Sequence, residues 1–129
     1  MAPIPPEELA ITAISVMELT AGVEITRRTD PTAATRIADW VEGLLHDAQI
    51  LPLDMSAARI LGRMHATPAL RNFLAAGSGQ PRTGADLAIA AIAIANGATL
   101  ATGNWRDFAR IDQLFPLPGL VDPFTGQEK

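Results

Sequence analysis

Residues Asp86–Phe108 read DLAIAAIAIANGATLATGNWRDF, and this stretch decides the fold class. From Asp86 to Asn96 the chain is apolar nearly all round, so it predicts a helix buried on every side. Gly97 stands where a C′ glycine ends a helix. Ala98 to Thr102 then reads as a short strand, and Asn104 to about Phe108 as the opening of a final short helix or turn. A buried helix, a short strand and another helix in quick succession are the grammar of an α/β protein.

The same alternation continues outward. Upstream, Asp54 caps a helix that carries Ala58, Leu61 and Met64 on one face and reaches about Ala66. Pro68 to Ala76 reads as a further helical piece. Gly77 to Gly84 (GSGQPRTG) reads as a loop and matches no phosphate-binding fingerprint. Gln49 to Leu53 is a strand candidate. Asp30 before Pro31 is a helix start, followed by apolar Ala34, Ile37, Val41, Leu44, Leu45 and Ala48 at helical spacing. Leu9 to Ile14 (LAITAI) predicts a buried strand, and Ser15 with Glu18 has the spacing of a capping box opening a helix over Val16 to Arg28. Downstream, Pro116, Pro118 and Pro123 keep most of the tail non-helical. Strands alternating with helices imply parallel pairing, in a sheet with fewer strands than doubly wound folds usually carry.

The 129 residues predict a single domain over 1–129. Hydrophobic residues at 48% and charged residues at 19% exclude a wholly disordered chain. Ten basic against fourteen acidic residues give a net charge of −4, which excludes a polycation that coats nucleic acid by bulk charge. The absence of Cys excludes thiolate catalysis and Cys-type zinc sites. The start, MAPIPPEELA, lacks the pattern of a signal peptide. The longest apolar run, Leu87 to Ala95, falls short of the about 20 residues a membrane span needs. A cytoplasmic protein is the expectation.

Three of the acidic residues share an address. Glu18 and Asp107 follow the C-terminal ends of predicted strands, and Asp86 heads the most apolar helix. That edge is where open α/β sheets bind ligands, and converging carboxylates there suit hard cations such as Mg²⁺ or Mn²⁺. Each also has a simpler reading. Ser15/Glu18, Thr83/Asp86 and Asn104/Asp107 all have capping-box spacing, and a carboxylate in a first helical turn complements the helix dipole. For any one residue alone, capping is the better reading.

Three passages resemble the PIN domain, and within it the VapC-type toxins of toxin–antitoxin pairs. They are AITAISVMELTAGVE, ADLAIAAIAIANGATLATGNWRDF and the ending LPGLVDPF. The resemblance implies a three-layer α/β/α fold with a mostly parallel sheet. It implies a Mg²⁺- or Mn²⁺-dependent endoribonuclease that cleaves RNA phosphodiester bonds and is silenced by a cognate antitoxin. Carried over, Glu18, Asp86 and Asp107 are the catalytic acidic metal ligands, and Thr102 and Asn104 line the site. A homodimer is implied, with DNA met only through an antitoxin. The family begins with a strand ending in Asp-Thr-Asn, whose Asp is the first ligand. Here only MAPIPPEE precedes LAITAI, so the central first strand and that ligand are expected to be missing. The alternative function is a non-catalytic, truncated PIN module acting only through antitoxin or dimer contacts.

Arg82, Arg106 and Arg110 flank the acidic positions and are candidates for RNA contact, against a simpler reading as solvated charge. Trp40 adjoins an apolar stripe and is expected to pack. Trp105, within Asn-Trp-Arg-Asp, is the better candidate for an exposed ring near the site. His46 and His65 suit no metal motif and are expected on helix surfaces.

Overall fold

The computed structural model describes residues 10–73 and 84–129. They form two compact units, one up to Pro52 and one from Leu53.

In the first unit, β1 (Ala10–Thr12) runs into α1 (Ala13–Arg27), then α2 (Pro31–Asp47) and β2 (Gln49–Leu51). β1 and β2 pair in parallel, with Ile11 opposite Ile50. The two helices form a hairpin whose turn is closed by Asp30 N–H donating to the Thr26 carbonyl at 2.8 Å. Asp30 caps α2, accepting from Ala33 N at 3.0 Å with Pro31 at the first helical position, as its sequence predicts. The start of α1 differs from expectation. The strand is shorter than LAITAI and the helix begins at Ala13, because Thr12 rather than Ser15 is the cap. Thr12 Oγ1 accepts from Ser15 N at 3.0 Å. Among the described residues the unit buries few large side chains; Val23, Ala34, Val41 and Leu51 are its buried apolar residues. Trp40, expected to pack, is 62% exposed. It lies beside Ala33, Arg36 and Ile37 on α2, on the solvent side of the stripe that buries Ala34 and Val41.

The second unit contains α3 (Met55–His65), a 3-10 turn (Pro68–Phe73), α4 (Ala85–Asn96), β3 (Thr99–Ala101), α5 (Trp105–Leu114) and β4 (Gly119–Val121). The β3–α5–β4 segment is a parallel crossover, with Leu100 opposite Leu120. α4 is the central element, and Leu87, Ala90, Ala91 and Ile92 are completely buried. Small alanines let neighbours approach α4 closely, and its apolar surface all round leaves no face suited to water. Gly97 ends α4 in the left-handed region (φ 61°), as predicted. Met64 of α3, Phe108 and Ile111 of α5, Leu100 of β3 and Leu120 of β4 share one core with α4. α5 is longer than expected, because Phe108 and Ile111 fill this core and carry the helix through to Leu114. Trp105 is half-buried against the same core rather than displayed, so the two tryptophans exchange their expected roles. His46 and His65 are exposed, and among the described residues no helix is long and apolar enough to cross a membrane.

Beyond β4 the tail folds back. Glu128 bridges Val121 in antiparallel fashion, and Lys129 N–H donates to the Leu120 carbonyl at 2.8 Å. Lys129 Nζ contacts the Asp112 carboxylate and donates to the Leu117 carbonyl at 2.8 Å. Leu117 N–H also donates to Asp112 Oδ1 at 2.8 Å. Burial pushes the Asp112 carboxyl up, but the Lys129 and Leu117 bonds and the ammonium charge outweigh it and hold the group below its ordinary value. A carboxyl depressed on folding stabilises the native state above its unfolded value of about 3.9, and that stability is lost as pH falls through the lower folded value.

Two outcomes are expected. Gly119 faces Thr99 across the β3–β4 pair, and a Cβ at 119 would lie 2.5 Å from Thr99 Oγ1. Gly119→Ala should cost roughly 1–3 kcal/mol of overpacking, and adding Thr99→Ala should recover most of it in chemical denaturation. Lys129→Met should lower the melting temperature at neutral pH, with the difference from wild type closing as pH drops below about 4. A difference that stays constant down to pH 2 would exclude the Asp112 clasp as its source.

Candidate active site

The second unit brings four of the candidate residues together at the C-terminal end of β3. Thr102 continues that strand, its N–H donating to the Val121 carbonyl at 2.9 Å. The chain then turns at Gly103, and Asn104 N–H donates to Thr102 Oγ1 at 2.9 Å. This turn sets the Asn104 side chain over the start of α5. Its amide nitrogen donates to Asp107 Oδ2 at 3.0 Å and to Asp86 Oδ2 at 3.4 Å. Asp107 lies in the first turn of α5, and Asp86 in the first turn of α4.

This arrangement overturns the capping-box reading of Asn104 and Asp107, while that of Thr83 and Asp86 falls on a residue outside those described. In a capping box the Asp107 carboxylate would reach back to Asn104 N–H, but the Thr102 hydroxyl already takes that hydrogen. Asn104 occupies the N-cap position of α5 without its side chain capping the helix. The N-cap of α4 is Gly84, in the left-handed region (φ 76°), which has no side chain to give. An amide nitrogen carries two hydrogens, and here it reaches one carboxylate of each helix. The Asn104 amide nitrogen joins the two carboxylates, each of which lies in the first turn of its helix, at the positive end of the dipole.

The remaining candidates fall elsewhere. Glu18 belongs to the first unit. Because α1 starts at Ala13, Glu18 sits in its second turn rather than its first and is exposed. The capping-box reading of Ser15 and Glu18 fails, since Thr12 is the cap. Arg106 and Arg110 lie one turn apart on α5, Arg106 exposed and Arg110 half-buried. Arg82 and Thr83 lie outside the described residues. Among the described residues, no three His, Asp or Glu side chains form a group able to hold a metal ion by themselves. The described centre is an acid pair. Two carboxylates of hard oxygen donors fit Mg²⁺, which keeps several of its waters and is commonly held by only one or two carboxylates.

A model of the PIN domain matches residues 2–114, which span both units. The chain belongs to the PIN domain family. PIN domains are generally nucleases, often ribonucleases of toxin–antitoxin pairs, and they typically use divalent metal ions. The parallel strands and predominant helices fit the α/β/α architecture of the family. No curated protein matches the chain significantly.

The bridge predicts an unusual response to a small change. Asn and Asp are nearly equivalent as helix N-caps, so a capping Asn104 would tolerate Asn104→Asp. As a bridge, Asn104→Asp replaces two donors with a third carboxylate. It should lower stability at pH 7 by about 1 kcal/mol, with recovery on adding Mn²⁺, measured by thermal melting.

Proposed function

We propose that this PIN domain is a Mg²⁺- or Mn²⁺-dependent endoribonuclease toxin, held inactive by a cognate antitoxin in the cytoplasm. The observation that carries the reading is the pairing of Asp86 and Asp107 through the Asn104 amide. The Asn104 amide holds one carboxylate oxygen of each helix within reach of a common point. Paired hard oxygen donors of this kind suit a divalent cation, and a capping box of Asn104 and Asp107 does not account for the bridge.

In this reading Asp86 and Asp107 are the metal-holding carboxylates. Asn104 fixes their spacing, and Thr102 fixes Asn104. When bound, the cation would offset phosphate charge and lower the pKa of the attacking water. The chain's own contribution is geometric. The two helix starts and the β3 turn hold the carboxylates on rigid elements, so little reorganisation is needed when an RNA phosphodiester arrives. Arg106 and Arg110 are suited to contact flanking phosphates. Glu18 remains a third acidic ligand on the strength of the resemblance, as do the antitoxin and the homodimer.

The deciding experiment is calorimetric titration of Mn²⁺ into the chain and into Asp86→Asn, with cleavage of a labelled RNA assayed in parallel. We expect binding by the wild type, loss of binding in the folded mutant, and cleavage abolished by EDTA. Cleavage that survives the chelator would sink the metal mechanism. A folded wild type that binds no cation would favour the alternative, a module acting only through protein contacts.

A further inference from the structure

Phe124 stands out among the described large apolar side chains. It is 86% exposed, more than any other of them. Its ring nevertheless has a fixed neighbour. A Cβ on Gly103 would come within 3.0 Å of Phe124 Cε2 and 3.2 Å of Cδ2, so the ring edge lies against the glycine between Thr102 and Asn104. Those are the residues that position the acid pair, within the same compact unit.

The backbone under the ring is tied down. Asp122 is buried (7% exposed), and its Oδ1 accepts from Phe124 N at 2.8 Å and from Thr125 N at 3.4 Å. Gly126 N–H donates to the Asp122 carbonyl, and Asp122 N–H to the Gln127 carbonyl, both at 2.8 Å. A buried carboxylate therefore anchors a turn whose apex displays an aromatic ring to solvent. Packing does not explain the ring, because burial energy scales with area removed from water and little of this ring is removed.

We propose that Phe124 is a stacking platform for a nucleobase of single-stranded RNA whose phosphate lies at the Asp86–Asp107 pair. The inference rests on the nuclease reading of that pair and adds to it the residue that receives a base. An aromatic face accepts any base, since every base has a π-face. The platform supplies affinity and registers the strand against the carboxylates rather than reading sequence. Gly103 belongs to the same device, because a Cβ there would make the ring give way by a few tenths of an ångström.

The test uses the full chain and fluorescein-labelled oligoribonucleotides, with dissociation constants read by anisotropy in Ca²⁺, a hard cation that carboxylates hold, and the RNA checked intact on a gel afterwards. Each base is replaced in turn by an abasic site. Wild type should lose roughly ten- to hundredfold in affinity at one position. Phe124→Ala should show the same loss on intact RNA and no further loss at that position. Phe124→Trp should bind like wild type, and Gly103→Ala should fall between, because its Cβ displaces the ring without removing it. Melting temperatures of all variants establish that they are folded. Equal binding by folded Phe124→Ala and wild type overturns the platform alone. Wild type insensitive to every abasic position also overturns it, whatever Phe124→Ala does. Wild type that binds no RNA at all overturns the platform together with the nucleic-acid reading of the acid pair.

Discussion

One amide nitrogen holds the candidate site together. Asn104 Nδ2 has two hydrogens, and the structure directs them to carboxylates on two different helices. The Thr102 hydroxyl takes the Asn104 backbone N–H, the group an Asp107 carboxylate would accept in a capping box, which leaves the Asp107 carboxylate to the amide. Thr102 is in turn fixed by its ladder bond to Val121. The order of dependence runs from the β3–β4 pair to Thr102, then to Asn104, then to the acid pair. A change at Gly119 or Thr99, remote from the carboxylates in sequence, acts on the first link of this chain.

The rigidity of the arrangement comes from α4. A helix whose central side chains are completely buried cannot rotate or slide without opening voids, and each void costs both transfer energy and lost contacts. Asp86 lies in the first turn of that helix, so its position is set by the core beneath it. Asp107 is set the same way, since Phe108 and Ile111 anchor α5 in the same core. Functional groups on packed elements are held more precisely than groups on loops. The electrostatic cost of placing two carboxylates together is met by packing elsewhere in the unit.

Much of this was legible in the sequence. The apolar run from Leu87 to Ala95, the C′ glycine at Gly97 and the Asp30-Pro31 start are local signals with local causes, and the structure follows them. Asp86, Asn104 and Asp107 were also visible, though spacing alone could not separate capping from assembly. That distinction depends on where Asn104 N–H and its amide hydrogens go, which is a tertiary fact. Ser15 misled because Thr12, three residues earlier, competes for the same role, and both residue types cap well. The tryptophans misled for a related reason. A position next to an apolar stripe does not say on which side of the stripe the ring falls, and Trp40 falls outward while Trp105 falls inward. Phe124 closes the passage LPGLVDPF, but nothing in that passage marks the ring as a neighbour of the site. Its significance lies in the Gly103 backbone it touches, twenty-one positions away.

The tail shows how a short segment with little apolar content stays ordered beside such a site. Its backbone returns along β4 through the Glu128 bridge, which occupies strand-edge groups that would otherwise be open to another chain. Its last residue is fastened to Asp112 and Leu117, and its turn is organised by buried Asp122. Hydrogen bonds and one ion pair replace the hydrophobic burial that a longer segment would use. Such bonds are directional, so they fix the orientation of what lies between them as well as its position. Phe124 lies between the two fastenings, which is why an almost fully exposed ring has a defined place against Gly103. The ionic half of this fastening weakens in acid, as the Asp112 carboxyl takes up its proton.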